Sequence, residues 1–213
     1  MQSYALIALP LFIFMGQLMN SSGITQRLVD LCLVFVGRFS GGLGMVNVST
    51  SMLFGGISGS STSDTASIGS VLIPEMKKRG YPLSYASGIT VASSTMGMIL
   101  PPSIPMVLYA VSAQVSVGKL FLGGIIPGLM VGILQLCIAV WISKRNNYPK
   151  ENAEGSWKRC FTAVSQSVHI LIMPVFVVGV VVFGIATATE SAALGGLYAL
   201  GIGIFFMRFL TLK

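Results

Sequence analysis

The stretch FGGISGSSTSDTASIGS, residues 54–70, decides how this chain is read. It is built almost wholly of glycine and small hydroxyl residues, with one carboxylate, Asp64. Apolar sequence lies on both sides. Residues 43–57 would form a helix of roughly 22 Å at 1.5 Å per residue, short of a hydrocarbon core about 30 Å thick. Residues 62–76 are equally short before the basic run Lys77, Lys78 and Arg79. The spacing predicts a re-entrant hairpin that enters a membrane, turns inside it and leaves on the same side. Non-helical backbone at that depth survives only when buried in protein or lining a wet cavity, so such a bend is expected to bind something. An ordinary two-pass hairpin with its polar turn in water is the alternative.

Two kinds of ligand fit the bend. Ser61 and Asp64 have the capping-box spacing, a hydroxyl with an acid three residues on. A capped helix start aimed into a cavity offers N–H groups and the positive dipole end to an anion. The neighbouring hydroxyls and any unwound carbonyls suit a hard cation such as sodium.

Composition agrees with a membrane protein. Apolar residues make up 54% of the 213, charged residues 9%, and the mean hydropathy is +0.84, whereas a soluble domain carries about a quarter charged residues. The apolar runs are long rather than alternating, which predicts an all-α polytopic fold and not a β-barrel. The net charge of +7 is concentrated at residues 77–79, 144–145 and 158–159. These are flank positions of cytoplasmic loops, which excludes a nucleic-acid surface. Cys32, Cys137 and Cys160 lie far apart without metal-ligand spacing and read as small packing residues. His169, the single histidine, reads as a packing or interfacial residue. No nucleophile–base pair, phosphate loop or dinucleotide fingerprint is present, and no tightly bound cofactor or enzymatic activity is expected. The N-terminus lacks the basic region and cleavage site of a signal peptide, and the chain reads as a fragment.

Along the chain, residues 4–19 form a first apolar run with a kink expected at Pro10. In residues 24–39, Leu28, Leu31, Val34, Phe35 and Phe39 recur at helical spacing among Arg27, Asp30 and Arg38. This predicts an amphipathic arm lying in the membrane interface. The hairpin is expected over residues 43–79. A helix rich in Ser, Thr, Ala and Gly follows from Ser84 and runs into Pro101, Pro102, Ser103 and Pro105. The prolines predict a helix broken within its span, whose freed carbonyls can coordinate a cation; a plain proline kink is the alternative. Residues 119–143 predict a full crossing with a close-packing face of Gly124, Gly128 and Gly132 and with Trp141 as a belt residue. Residues 144–160 read as a cytoplasmic loop without chemistry, and residues 164–186 and 192–206 as two further spans. Before the last span stands Thr187, and at the helix start Thr189 and Glu190, read either as a capping hydroxyl with a dipole-complementing acid or as a carboxylate lining a pathway. LPLF at residues 9–12 and MPVF at residues 173–176 are a weak echo of an internal repeat. With Lys77–Arg79 placed in the cytoplasm, every basic cluster, Arg208 and Lys213 included, falls on that side.

Five segments together resemble the large membrane subunit of the tripartite ATP-independent periplasmic (TRAP) transporters. They are GGISGSSTSDTA (55–66), IPEMKKRGY (73–81), ASSTMGMILPPSIPM (92–106), LFLGGIIPG (120–128) and ATATESAA (186–193). The resemblance runs nearly end to end. It implies sodium-driven uptake across a bacterial inner membrane of a small carboxylate, such as a C4-dicarboxylate, a sialic acid or another sugar acid. It implies two protein partners, a soluble periplasmic binding protein that delivers the substrate and a small four-helix membrane subunit. It implies an elevator mechanism with sodium and substrate sites at two hairpin tips and at broken helices.

By motif position the first tip is Ser58, Gly59, Ser60, Ser61, Thr62 and Asp64. Ser94, Thr95, Pro101, Pro102 and Ser103 belong to the first broken helix, and Thr187, Thr189 and Glu190 to a third group. The sodium candidates among them are Ser58, Ser60, Ser61, Ser94, Thr95 and Ser103. Ala188 stands where the family pattern has proline. Family subunits are roughly twice as long, so the chain is expected to lack the second hairpin and to be unable to transport alone. A proton-coupled or stand-alone anion transporter using Asp64 and Glu190 is the runner-up, and a non-transporting membrane scaffold a third reading.

Overall fold

The computed structural model describes residues 2–21, 23–39, 41–149 and 157–202. Among them there is no strand. The order is α1 (Gln2–Ser21), α2 (Ile24–Val36), α3 (Gly42–Ser58), α4 (Ser61–Lys78), α5 (Leu83–Ser94), a 3-10 turn (Thr95–Met98), α6 (Ile104–Ala113), α7 (Val117–Arg145), α8 (Trp157–Val182) and α9 (Ala188–Gly201). The expected all-α class is the observed one.

Glycine and proline place the breaks. α1 continues through Pro10 as one helix. Gly23 and Gly41, both left-handed, precede α2 and α3. α3 and α4 form the expected hairpin, with only Gly59 and Ser60 between them. At 17 and 18 residues they measure about 25 and 27 Å, and the second ends in Lys77 and Lys78. The small-residue helix stops at Ser94, tightens into the 3-10 turn and breaks at residues 99–103 before restarting as α6. The proline-rich segment is therefore a true interruption and not a kink.

α2 ends at Val36 rather than continuing to Phe39: the Phe39 amide bonds back only three residues, to the Val36 carbonyl at 3.3 Å, and left-handed Gly41 then turns the chain into α3. Its Ile24, Leu28, Leu31 and Cys32 are buried against α3 and α8, while Asp30 and Phe35 face outward. α8 ends at Val182, four residues before the expected limit, and Gly184 turns the chain in the left-handed region. Residues 150–156 of the expected loop, residues 203–206 of the last run, and Arg208 and Lys213 lie outside the described residues.

One apolar core joins α1, α3, α4 and α8 through Phe12, Met15, Phe54, Ile57, Ile68 and Met173. A smaller one gathers Val48, Met96, Leu100 and Ala139. α7 is the one helix among the described residues that is by itself long and apolar enough to cross a membrane. α1 from Ile7 and α2 reach that criterion only together, bent by 66°. α7 packs through its glycine face as expected. A Cβ on Gly128 would come 2.6 Å from Leu100 Cδ2, and one on Gly132 2.6 Å from Met52 Cε. Its other face exposes Leu122, Ile126, Met130, Ile133 and Leu134, an apolar stripe that suits lipid better than water.

Candidate functional site

Four helix ends meet where the hairpin tip touches the broken helix. α3 ends at Ser58 and the 3-10 turn at Met98, each presenting C-terminal carbonyls. α4 begins after Ser60 and α6 after Ser103, each presenting N-terminal amides. The tie between them is a backbone hydrogen bond: the Ile104 amide donates to the Gly59 carbonyl at 3.1 Å. Gly59 is left-handed at φ 62°, and a Cβ there would stand 3.0 Å from the Pro102 carbonyl oxygen and 3.2 Å from the Ile104 nitrogen. Glycine is thus required both by conformation and by space. Gly56 lies equally close beneath the break, its Cβ position 3.3 Å from the Pro101 carbonyl oxygen.

Asp64 sits in the first turn of α4 and is fully buried. One carboxylate oxygen accepts from the Ser58 hydroxyl, and that hydroxyl in turn accepts from the Ser60 amide at 3.1 Å. The other oxygen has no hydrogen-bond partner among the described residues and faces Gly97 of the 3-10 turn. The capping box expected at Ser61 and Asp64 does not form. The N-cap is Ser60, in extended conformation and without a side-chain cap bond. Asp64 is one position too far along to reach back, and its amide already closes the first helical bond onto the Ser60 carbonyl at 3.1 Å.

The other tip hydroxyls are more open. Ser60 and Thr62 share a hydrogen bond at 3.1 Å, and Thr62 is exposed. The Ser61 carbonyl accepts from the Thr65 hydroxyl at 2.8 Å. On the broken helix the hydroxyls turn back onto their own backbone: Ser94 to the Thr90 carbonyl, Thr95 to the Ala92 carbonyl and Ser103 to the Met98 carbonyl, each at 2.7 Å. Of the sodium candidates, Ser58, Ser60 and Ser61 belong to the tip and Ser103 to the break packed on it, while Ser94 and Thr95 stand at the opposite end of the 3-10 turn.

Thr187, Thr189 and Glu190 stand at a different helix start, that of α9, which packs on α1 and α8. There the capping arrangement is complete. Glu190 accepts from the Thr187 amide and hydroxyl at 2.8 Å each, and the Glu190 amide donates to the Thr187 hydroxyl at 3.3 Å. The cap is Thr187, two residues before the hydroxyl expected to supply it.

Sequence reading missed a buried polar cluster between α3 and α5. Asn47 donates to the Thr90 hydroxyl at 2.7 Å and accepts from the Ser93 hydroxyl at 3.1 Å. Ser93 also lies 2.8 Å from the Ser51 hydroxyl. All four residues are fully buried. The available signal was an asparagine inside an apolar run, which in a membrane must find partners. The cluster ties the first hairpin helix to the first half of the broken helix, below the junction.

Known proteins show which family the chain resembles. The family model described as "Tripartite ATP-independent periplasmic transporter, DctM component" matches residues 1–213. The chain is similar to an isethionate TRAP transporter permease protein of Oleidesulfovibrio alaskensis, 40% identical over 98% of this chain and 33% of that protein. It is similar to a C4-dicarboxylate TRAP transporter large permease protein of Vibrio cholerae, 39% identical over 96% of this chain and 45% of that protein. It is also similar to a sialic acid TRAP transporter large permease protein of the same organism, 38% identical over 99% of this chain and 49% of that protein. The chain therefore spans half or less of the length of these relatives.

Proposed function

The chain belongs to the DctM family of tripartite ATP-independent periplasmic transporters, and from that membership we propose that it forms part of the permease of a sodium-coupled carboxylate importer. The observation that carries the reading is the hydrogen bond from Ile104 to Gly59. It locks two helix interruptions into one junction, with the carboxylate of Asp64 buried beside it.

The physical logic is that of a discontinuous-helix site. The amides opening α4 and α6 carry the positive end of two helix dipoles, each equivalent to roughly half a charge. They favour the carboxylate of a solute. Carbonyls closing α3 and the 3-10 turn, with the Ser58 and Ser60 hydroxyls and the unpartnered oxygen of Asp64, are hard oxygen donors suited to sodium. Sodium moves with the solute because each charge lowers the desolvation penalty of the other at a site away from water. The bend between α3 and α4 is then submerged in the bilayer, with the basic ends at Lys77–Arg79 and Lys144–Arg145 on the cytoplasmic side of a bacterial inner membrane. The imported solute is a C4-dicarboxylate, a sialic acid, another sugar acid or a related small anion. A periplasmic binding protein delivers it, and a small four-helix membrane subunit accompanies the permease.

The test is uptake by the complete permease, reconstituted with its small subunit and binding protein. Replacing external sodium by potassium at fixed membrane potential should abolish carboxylate uptake. A proton gradient that drives uptake equally well without sodium would overturn the sodium assignment in favour of proton transfer through Asp64, whose burial also suits that role.

A further inference from the structure

Away from the junction, a groove of about 330 Å³ runs between α5 and α7. Ser84, Tyr85, Gly88 and Ile89 line it from α5, and Ile138 and Ile142 from α7. From Ser84 to Ala92 it follows α5 for about 12 Å at 1.5 Å per residue, through mostly apolar walls. Gly88 leaves it open, since a Cβ added there would meet nothing within 4 Å. On its other side α5 is packed through Ala86 and Thr90, so the groove is not a general looseness of that helix.

Its mouth is built differently. Tyr81, Tyr85 and Tyr148 cluster there with ring centroids 4.9–6.1 Å apart. The Tyr85 hydroxyl lies 3.5 Å from that of Ser143, next to Lys144 and Arg145. Lys77, Lys78 and Arg79 close α4 just before Tyr81. All of these basic residues are exposed. The ion pairs among the described residues join Glu75 to Arg79 at 3.1 Å and to Lys78 at 3.9 Å. Among the described residues, Lys77, Lys144 and Arg145 have no acidic partner and stand as surplus positive charge. Arg145 stacks over exposed Trp141 at 5.6 Å, the arrangement of a residue held at a membrane surface.

We propose that this groove is a binding site for an anionic phospholipid, one acyl chain lying along Gly88 and Ile138 and the headgroup phosphate meeting Lys77, Lys144 and Arg145. A slot with apolar walls and a mouth of surplus positive charge is complementary to a molecule with an apolar tail and an anionic head. A neutral lipid would satisfy only the walls, and a soluble anion only the mouth. The inference rests on the two basic ends lying at one membrane surface. It does not depend on what the permease carries.

The experiment is native mass spectrometry of the purified permease titrated with phosphatidylglycerol and, separately, with phosphatidylcholine of the same chains. The expected result is preferential retention of phosphatidylglycerol. Gly88→Leu, whose Cβ meets nothing within 4 Å and whose side chain would fill the groove, should reduce that retention several-fold. A Lys144→Gln, Arg145→Gln pair should reduce it while sparing phosphatidylcholine, and this second variant keeps the test open should the first fail to fold. Equal retention of the two lipids, or phosphatidylglycerol binding unchanged in both variants, overturns the proposal. So does a cysteine at position 88 that cross-links to another segment of the full-length permease in membranes, because the groove is then filled by protein.

Discussion

The buried carboxylate of Asp64 lies against Gly97 so closely that a Cβ built on Gly97 would stand 2.5 Å from Asp64 Oδ2. The same Cβ would lie 3.3 Å from the backbone of Ser60. The methyl group would meet a short, buried carboxylate and backbone rather than the far end of a long side chain. Gly97→Ala should therefore destabilise by about 1–3 kcal/mol, as overpacking does, and should impair uptake by displacing the carboxylate. Gly88→Ala, with open space around its Cβ, is the control and should leave thermal unfolding unchanged or slightly improved. Equal unfolding temperatures for the two variants would show that Asp64 is not confined as described.

The Ser58 hydroxyl donates a hydrogen bond to a buried carboxylate, so its removal differs from the loss of an ordinary serine. Ser58→Ala should cost about 1–3 kcal/mol, because a buried acceptor is left unsatisfied. Asp64→Asn retains an oxygen for Ser58 and nearly the same volume, and should fold. What it should lose is charge: the sodium concentration for half-maximal uptake should rise while solute binding to the periplasmic protein stays constant. An unchanged sodium dependence in Asp64→Asn would remove Asp64 from the ion site.

These residues also show what sequence can and cannot reveal. The bend at Gly59 and the interruption at Pro101 were legible because glycine, serine and proline act on the backbone locally. That the two breaks are bonded to each other was not, since Ile104 and Gly59 carry no side-chain signal and meet only through tertiary packing. The cap position was set one residue late for a related reason. Hydroxyls occupy positions 60, 61, 62 and 63 alike, and only the extended backbone of Ser60 identifies the cap. Thr90 and Ser93 were legible as small residues permitting close approach, but their partner Asn47 lies more than 40 positions away in sequence.

That cluster yields a prediction about coupling. Asn47→Ala removes an acceptor and a donor from Ser93 and Thr90 at once. Interhelical hydrogen bonds in membranes are worth about 0.6–2 kcal/mol each, so the single variant should lose roughly that amount per bond. Thr90→Val in the Asn47→Leu background should cost less than Thr90→Val alone, because the pair acts as a unit. Additive losses in a double-mutant cycle of detergent unfolding would mean that the two residues do not share a bond.

The glycine face of α7 is not uniform, and the difference lies in what each glycine meets. A Cβ on Gly132 would press on Met52 side-chain atoms, which can swing aside. A Cβ on Gly124 would also come 2.8 Å from the Ile99 carbonyl oxygen, part of the interrupted backbone beside the junction. Gly132→Ala should cost well under about 1 kcal/mol, while Gly124→Ala should fall in the overpacking range of about 1–3 kcal/mol. Gly124→Ala should also lower uptake more than its stability loss explains, because it pushes the break itself. Equal tolerance at the two positions would show that the segment at Ile99 is free to move away from α7.

Glu190 separates two roles that the sequence left open. Its carboxylate holds the Thr187 amide and hydroxyl at 2.8 Å each, in a reciprocal cap at the start of α9. Glutamine serves in the same position of a capping box, so Glu190→Gln should keep both stability and uptake. Thr187→Ala should instead lose about 0.5–2 kcal/mol, the range for removing a cap hydroxyl. A carboxylate that lined the solute pathway would give the reverse pattern, since its charge rather than its hydrogen bonds would be the functional quantity. Uptake abolished in Glu190→Gln, in protein whose unfolding temperature is unchanged, would move this residue from the cap to the pathway. It would also mean that the charge acting on the solute is not confined to the junction of Gly59 and Ile104.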